Sequence, residues 1–163
     1  MGNLIVFAPF IFLILILLLT GLFTVKQETF AIVERFGKFH SIKNPGLNFK
    51  IPFFDRVAGR VNMKIQQLDV MVETKTFDDV FVKTKVSVQF KIQRDTIYDA
   101  FYKLEIPYDQ ITSYVFDVVR AEVPKMKLDD VFVRKDDIAV AIKRELAEAM
   151  NNYGYGIVKA LVT

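Results

Sequence analysis

Val80–Ile92 reads VFVKTKVSVQFKI. Its even positions are Val80, Val82, Thr84, Val86, Val88, Phe90 and Ile92, while its odd positions are Phe81, Lys83, Lys85, Ser87, Gln89 and Lys91. This is period two, the pattern of a strand with one face buried. The stretch before it repeats the pattern, with Leu68, Val70, Val72 and Thr74 on the even side and Asp69, Glu73 and Lys75 on the odd. Both apolar sets are even-numbered, so facing residues sum to an even number and an unbulged connection has odd length. A three-residue loop, Phe77-Asp78-Asp79, fits, because Asp tolerates the left-handed backbone that such loops need. That register sets Glu73 opposite Lys83, a favourable cross-strand pair.

Downstream the period changes from two to 3.6. Asp95–Leu104 reads as a short helix, and Pro107 opens another that runs over 108–123 until Pro124 ends it. Asp129 and Asp136 are placed as N-caps of two further helices. On the last of these Ile138, Ala141, Ile142, Leu146, Ala149, Met150 and Tyr153 form one apolar stripe. Gly154 or Gly156 ends it, and 157–162 returns as a strand. Upstream, 25–36 has the mixed alternation of a first strand, and a turn-rich stretch follows, punctuated by Gly37, Asn44-Pro45-Gly46, Pro52 and Gly59. Strands first, helices second and a final strand rejoining predict an α+β domain. The pentapeptide DDVFV occurs at 78–82 and again at 129–133. One copy falls in a hairpin and one at a helix start, so it marks no repeat architecture.

Residues 1–25 carry no charged side chain. A helix over Leu4–Val25 would be about 33 Å long, enough for the roughly 30 Å hydrocarbon core of a bilayer. Met1-Gly2-Asn3 lacks the basic residue of a signal peptide and no A-x-A-like site follows, so an uncleaved anchor is expected. Pro9 leaves two forms open, a spanning helix or a re-entrant wedge. Lys26, Arg35, Lys38 and Lys43 follow the segment and no Lys or Arg precedes it, which places the body in the cytoplasm. Gly2 follows Met1, but Val6 stands where a myristoylation motif wants Ser or Thr.

Among the 163 residues there are 22 Lys+Arg, 19 Asp+Glu, one His and no Cys, for a net charge of +3. Lack of Cys excludes thiolate catalysis, cysteine-held zinc or iron–sulfur clusters and a disulfide framework. With His40 alone, neither a His-rich metal site nor ordinary Ser-His-Asp chemistry is supported. The mild basicity falls short of a nucleic-acid footprint. The acidic pairs Asp78-Asp79, Asp129-Asp130 and Asp136-Asp137 read as turn and cap residues, without EF-hand spacing. No enzyme, metal or cofactor is expected.

Several further stretches carry a resemblance. Val33-Glu34-Arg35-Phe36-Gly37-Lys38, Asn44-Pro45-Gly46-Leu47 and Ile51-Pro52-Phe53-Phe54-Asp55 resemble the opening signature of the SPFH or band 7 family, which includes stomatin, prohibitin, flotillin and a bacterial protease-regulator pair. Thr76–Val80 is similar to that family's hairpin turn. The blocks Val118-Val119-Arg120, Lys125–Phe132 and Asn152–Ile157 look closest to its plant hypersensitive-induced-reaction branch. The resemblance covers about 25–163 and implies, after the anchor at 1–25, an SPFH domain at 26–163 with an antiparallel sheet and packed helices. It also implies homo- or hetero-oligomers of related subunits and regulation of membrane proteases, channels or lipid microdomains. The plant branch begins with an acylatable Gly-Cys terminus, where this chain has a hydrophobic segment more like that of stomatins. The family's long charged assembly helix is absent from the sequence.

Two groups of candidate contact residues follow. Lys26, Lys43, Lys50, Phe53 and Phe54 surround the Phe-rich, Pro-broken stretch 45–54 beside the anchor, which either packs on the sheet or enters the membrane interface with its lysines on phosphates. Lys83, Lys85 and Lys91, with Asp69 and Glu73, form the hairpin's mixed-sign odd face. That face is either solvated edge protection, a lipid-headgroup contact or an oligomer contact. The function expected is a non-catalytic membrane scaffold; the alternative is a regulatory subunit of a membrane-bound protease.

Overall fold

Nothing in GNLIVFAPFIFLILILLLTG interrupts a helix except Pro9, and residues 2–21 form one continuous helix, α1 (Gly2–Gly21), with Pro9 inside it. The computed structural model describes residues 2–163, with side chains from Ile5 onward. Met1, the first residue of the expected anchor, lies outside the described residues. The helix stops four residues before Val25 because Leu22–Val25 is a strand, β1, hydrogen-bonded antiparallel to β4 (Gly46–Phe49). Among the residues described with side chains, from Ile5 onward, no helix is long and apolar enough to cross a membrane.

The chain divides into two compact units, Met1–Met63 and Lys64–Thr163, where the sequence reading treats everything after the anchor as one domain. In the first unit β2 (Thr29–Arg35) is the centre of a three-stranded sheet, flanked by β3 (Lys38–Lys43) and β5 (Asp55–Asn62). Phe30, Ala31, Ile32 and Val33 are all buried, a continuous run rather than an alternation. The expected first strand over 25–36 is thus two strands with a turn at 26–28, where Glu28 takes a left-handed φ of 56°. The stretch read as turns holds three strands, and His40 sits on exposed edge strand β3 rather than in a loop. Gly59 lies in β5 beside a register shift opposite Ile32/Val33, a bulge rather than a turn.

The second unit matches the hairpin arithmetic. β6 (Gln66–Lys75) and β7 (Phe81–Ile92) pair with Glu73 opposite Lys83, and β8 (Tyr155–Val162) adds on the other side of β7. Thr76 N–H donates to the Val80 carbonyl at 2.9 Å, closing a loop of Phe77-Asp78-Asp79 in which Asp79 has φ 66°. Even-numbered Val70, Val72, Val86, Val88, Phe90, Ala160 and Val162 are buried. They lie against α3 (Pro107–Glu122) and α5 (Lys135–Asn151), whose Ile111, Val115, Ile142 and Leu146 are fully buried. Two short helices complete the layer, α2 (Ile97–Tyr102) and α4 (Leu128–Val133). The fold class is α+β as expected, with three antiparallel sheets across the two units instead of one.

Asp129 and Asp136 are not N-caps. Lys127 and Arg134 hold those positions, and the two carboxylates sit in the first turns, where the helix dipole favours them. The cap of α4 comes from elsewhere: Leu128 N–H donates to Asp78 Oδ1 at 3.1 Å, from the hairpin tip. Phe77 N–H donates to the Met126 carbonyl at 2.8 Å beside it.

Of the two glycines that could end α5, Gly154 does so, with φ 83° and the Thr96 carbonyl in the space a Cβ would need. Gly154→Ala should destabilise the second unit by more than about 2 kcal/mol, whereas Gly156→Ala, facing only the flexible Gln93 side chain, should cost less than about 1 kcal/mol. Urea unfolding followed by tyrosine fluorescence checks this, because all 6 tyrosines lie between Tyr98 and Tyr155.

Candidate membrane-interface site

The junction of α1 with the first unit fixes where residues 50–54 emerge. Lys50 N–H donates to the Gly21 carbonyl at 2.9 Å, and Leu22 faces Phe49 across the β1–β4 ladder. A Cβ on Gly21 would collide with the Phe49 ring and the Lys50 carbonyl. Only glycine allows the helix end to approach β4 this closely.

Asp55 closes the loop that follows. Its amide donates to the Ile51 carbonyl at 2.9 Å, and its Oδ2 accepts from the Ile51 amide at 2.9 Å. Arg35 grips the same carboxylate with both arms, Nε to Oδ1 at 2.7 Å and Nη2 to Oδ2 at 3.1 Å. The Arg35 hydrogen bond lowers the Asp55 pKa to about 2, with the Ile51 amide adding to it against the cost of burial. This geometry holds the β2–β3 turn and the 51–54 loop together. Phe36 N–H donates to the Phe54 carbonyl at 3.3 Å, and the two rings stand 5.3 Å apart. Arg35, Phe36, Ile51 and Phe54 line a shallow open cavity of about 270 Å³.

The most exposed members are also the most strained. Phe36 has φ 51° and is 75 % exposed; Phe53 has φ 70° and is 93 % exposed. A bulky side chain in the left-handed region costs roughly 1–2 kcal/mol. Such strain combined with an apolar side chain held out from the surface points to a binding role.

Of the interface candidates, Lys50, Phe53 and Phe54 come together here. Lys26 lies in the β1–β2 turn, and Lys43 faces Ala31, about 13 Å along β2 from Arg35 by strand rise. They belong to the other end of the sheet. Phe36, Ile51, Arg35 and Asp55 were missed as site residues. The Phe36-Gly37 turn was visible, but nothing periodic ties it to residues 20 positions on. In the second unit, Lys83–Glu73 at 3.9 Å and Lys85–Asp69 at 3.0 Å are ion pairs within the chain, and Lys91 is exposed on the same face. Hydrogen bonds from Ser87, Lys85 and Gln67 hold Asp69 below the usual carboxylate range. Among the described residues no group of three or more His, Cys, Asp or Glu could hold a metal ion.

Asp55→Asn keeps the shape and removes the charge. Because the folded pKa is depressed, the ionised group contributes its stability above the unfolded value near 4 and loses it as pH falls through about 2. The variant should be less stable by roughly 2 kcal/mol at pH 7, with the gap closing between about pH 4 and pH 2. Unfolding curves of both proteins in one detergent across that window check it; a gap independent of pH would mean the carboxylate is not the holding group.

The SPFH domain / Band 7 family matches residues 23–163. The chain is 43 % identical over 134 residues to Hypersensitive-induced response protein 4 of Arabidopsis thaliana, covering 82 % of this chain and 46 % of that protein. It is 31 % identical over 134 residues to the mitochondrial Stomatin-like protein 2 of Homo sapiens, covering 82 % of this chain and 37 % of that one. To Modulator of FtsH protease HflK of Escherichia coli (strain K12) it is 29 % identical over 140 residues, 85 % of this chain and 33 % of the relative. The chain thus spans less than half the length of these curated relatives. The motifs at 33–55, 76–80 and 118–157 identify the same family as the match over the whole domain, and the chain belongs to the SPFH domain / Band 7 family.

Proposed function

We propose that the chain is a non-catalytic, membrane-anchored scaffold. In this reading α1 enters the bilayer, the Phe36/Phe53/Phe54 tip rests at its interface, and the second unit joins further SPFH subunits, identical or related, to organise lipids or partner membrane proteins. The supporting observation is α1 itself. Apart from Leu17, its large apolar side chains from Ile5 to Leu19 are 42–76 % exposed, covering every side of the helix. Thr20, its one described hydroxyl, is satisfied internally by the Ile16 and Leu17 carbonyls, each at 3.0 Å. Such a surface is matched by hydrocarbon and not by water. Twenty helical residues measure about 30 Å. Because the helix is unbroken through Pro9, the reading favours a single crossing over a re-entrant wedge.

The bonds from Gly21 to Lys50 and from β1 to β4 support the interface assignment, since they put the aromatic tip within a few residues of the helix end. The lysines that follow α1 support a cytoplasmic body. Single cysteines introduced into this Cys-free chain test both points in intact cells. Asn3→Cys should react with an impermeant thiol reagent and Asp95→Cys should not. A solvent-sensitive fluorophore on Phe53→Cys should be quenched by nitroxide-bearing lipid. The reverse labelling would overturn the orientation, and an unquenched probe would remove the tip from the interface.

A second reading, a regulatory subunit of a membrane-bound protease, is favoured by the likeness to a relative named as a modulator of the FtsH protease. Size analysis in mild detergent separates the two. A large homogeneous assembly of this chain is expected for the scaffold, and a small complex of fixed stoichiometry with a protease would establish the alternative.

A further inference from the structure

The cavity at the aromatic tip combines apolar walls with one unused donor. Its walls are the Phe36 and Phe54 rings and the Ile51 side chain, with Arg35 beside them. Much of the backbone around it is already engaged: the Ile51 amide and carbonyl both end on Asp55, and the Phe54 carbonyl takes the Phe36 amide. Arg35 spends Nε and Nη2 on Asp55. Its Nη1 has no partner among the described residues, and the side chain is 34 % exposed.

A free anion is not what this donor favours. The two-armed pair with Asp55 cancels the charge of Arg35, so Nη1 suits a neutral acceptor such as an ester carbonyl. The neighbouring pair, Arg56 with Glu34 at 3.1 Å, cancels in the same way. Glu34 and Asp55 are the only acidic residues between Thr29 and Met63. Lys38, the register partner of Arg35, and Lys50, next to Ile51, make no ion pair among the described residues, so they leave this end of the sheet positive.

Resting on the interface placement of the tip in the proposed function, we propose that this cavity seats one ester-linked glycerophospholipid. The start of an acyl chain lies against Phe36, Ile51 and Phe54, an ester carbonyl accepts from Arg35 Nη1, and the phosphate lies near Lys38 and Lys50. Acyl chain, ester and phosphate follow one another in such a lipid, and the site offers an apolar wall, a charge-compensated donor and two cations to match them. Position selects the occupant. Lys50 N–H is bonded to the Gly21 carbonyl, so the cavity opens within a residue of the point where α1 ends. Ester carbonyls populate the boundary between hydrocarbon and headgroups, where the end of a membrane helix lies. The left-handed backbone of Phe36 then has a use, since it holds one wall of the cavity out from the sheet.

Photolabelling of the full chain in phosphatidylcholine vesicles tests this. A trace of ester-linked phosphatidylcholine carrying a diazirine beside its carbonyl should label Phe36 and residues 51–54, read by mass spectrometry of the peptides. A probe with the diazirine at the chain end should label α1 and spare both segments. The host lipid reports the donor. In ether-linked phosphatidylcholine, which lacks the carbonyl, the ester probe meets no equal competitor. Tip labelling relative to α1 should then be about tenfold higher than in the ester-linked host. Equal labelling in the two hosts would overturn the Arg35 contact and the proposal with it. Phe54→Ala should cut labelling of Phe36 by about tenfold and leave that of α1 unchanged; undiminished labelling of Phe36 would overturn the cavity as the seat. The fluorophore on Phe53→Cys, outside the cavity lining, separates this proposal from the reading it rests on. A quenched fluorophore with an unlabelled tip would overturn the lipid seat alone. An unquenched one with an unlabelled tip would overturn the interface placement as well.

Discussion

The first unit depends on a carboxylate that stays ionised under any physiological condition. Asp55 meets Arg35 where β2 ends and β5 begins, and the two are register partners as well as an ion pair. The pair closes the excursion through β3 and β4 and brings Phe36 beside Phe54. Two aromatic residues in the left-handed region there cost roughly 1–2 kcal/mol each. Removing the Asp55 charge forfeits about 2 kcal/mol, so the ion pair offsets part of the strain at the tip.

The two units present different problems to a reader of the sequence. In the second, alternation and 3.6-residue periodicity agree with the turn chemistry. Register, loop and the main helices followed from burial on one face alone. In the first, β2 is buried over four consecutive residues and β3 scarcely at all, so neither alternates. β2 was still read as strand within 25–36, whereas β3, β4 and β5 were read as turns. β1 was hidden for a different reason: Leu22–Val25 is as apolar as the helix before it, and only its pairing with Gly46–Phe49 makes it a strand.

The candidate site was legible to the extent that it is local. Lys50, Phe53 and Phe54 are neighbours in sequence and in space, whereas Lys26 and Lys43 were grouped with them by charge alone and lie elsewhere on the sheet. Arg35 and Asp55 find each other through β-sheet register, information that no short motif carries. DDVFV makes the same point, since identical residues form a hairpin tip at 78–82 and most of a helix at 129–133. Surroundings decide between them.

The hairpin tip and α4 also share a fate in unfolding. A helix of six residues has no stability of its own in water, because nucleation outweighs so few bonds. α4 therefore leans on its surroundings: Val131 is buried, Asp78 holds its first amide and Phe77 the Met126 carbonyl before it. Opening the β6–β7 turn releases both at once, so residues 76–80 and 126–133, about 50 positions apart in the chain, form a single cooperative opening unit. Backbone amides in the two segments then exchange with solvent through one shared event, although no strand or helix joins them.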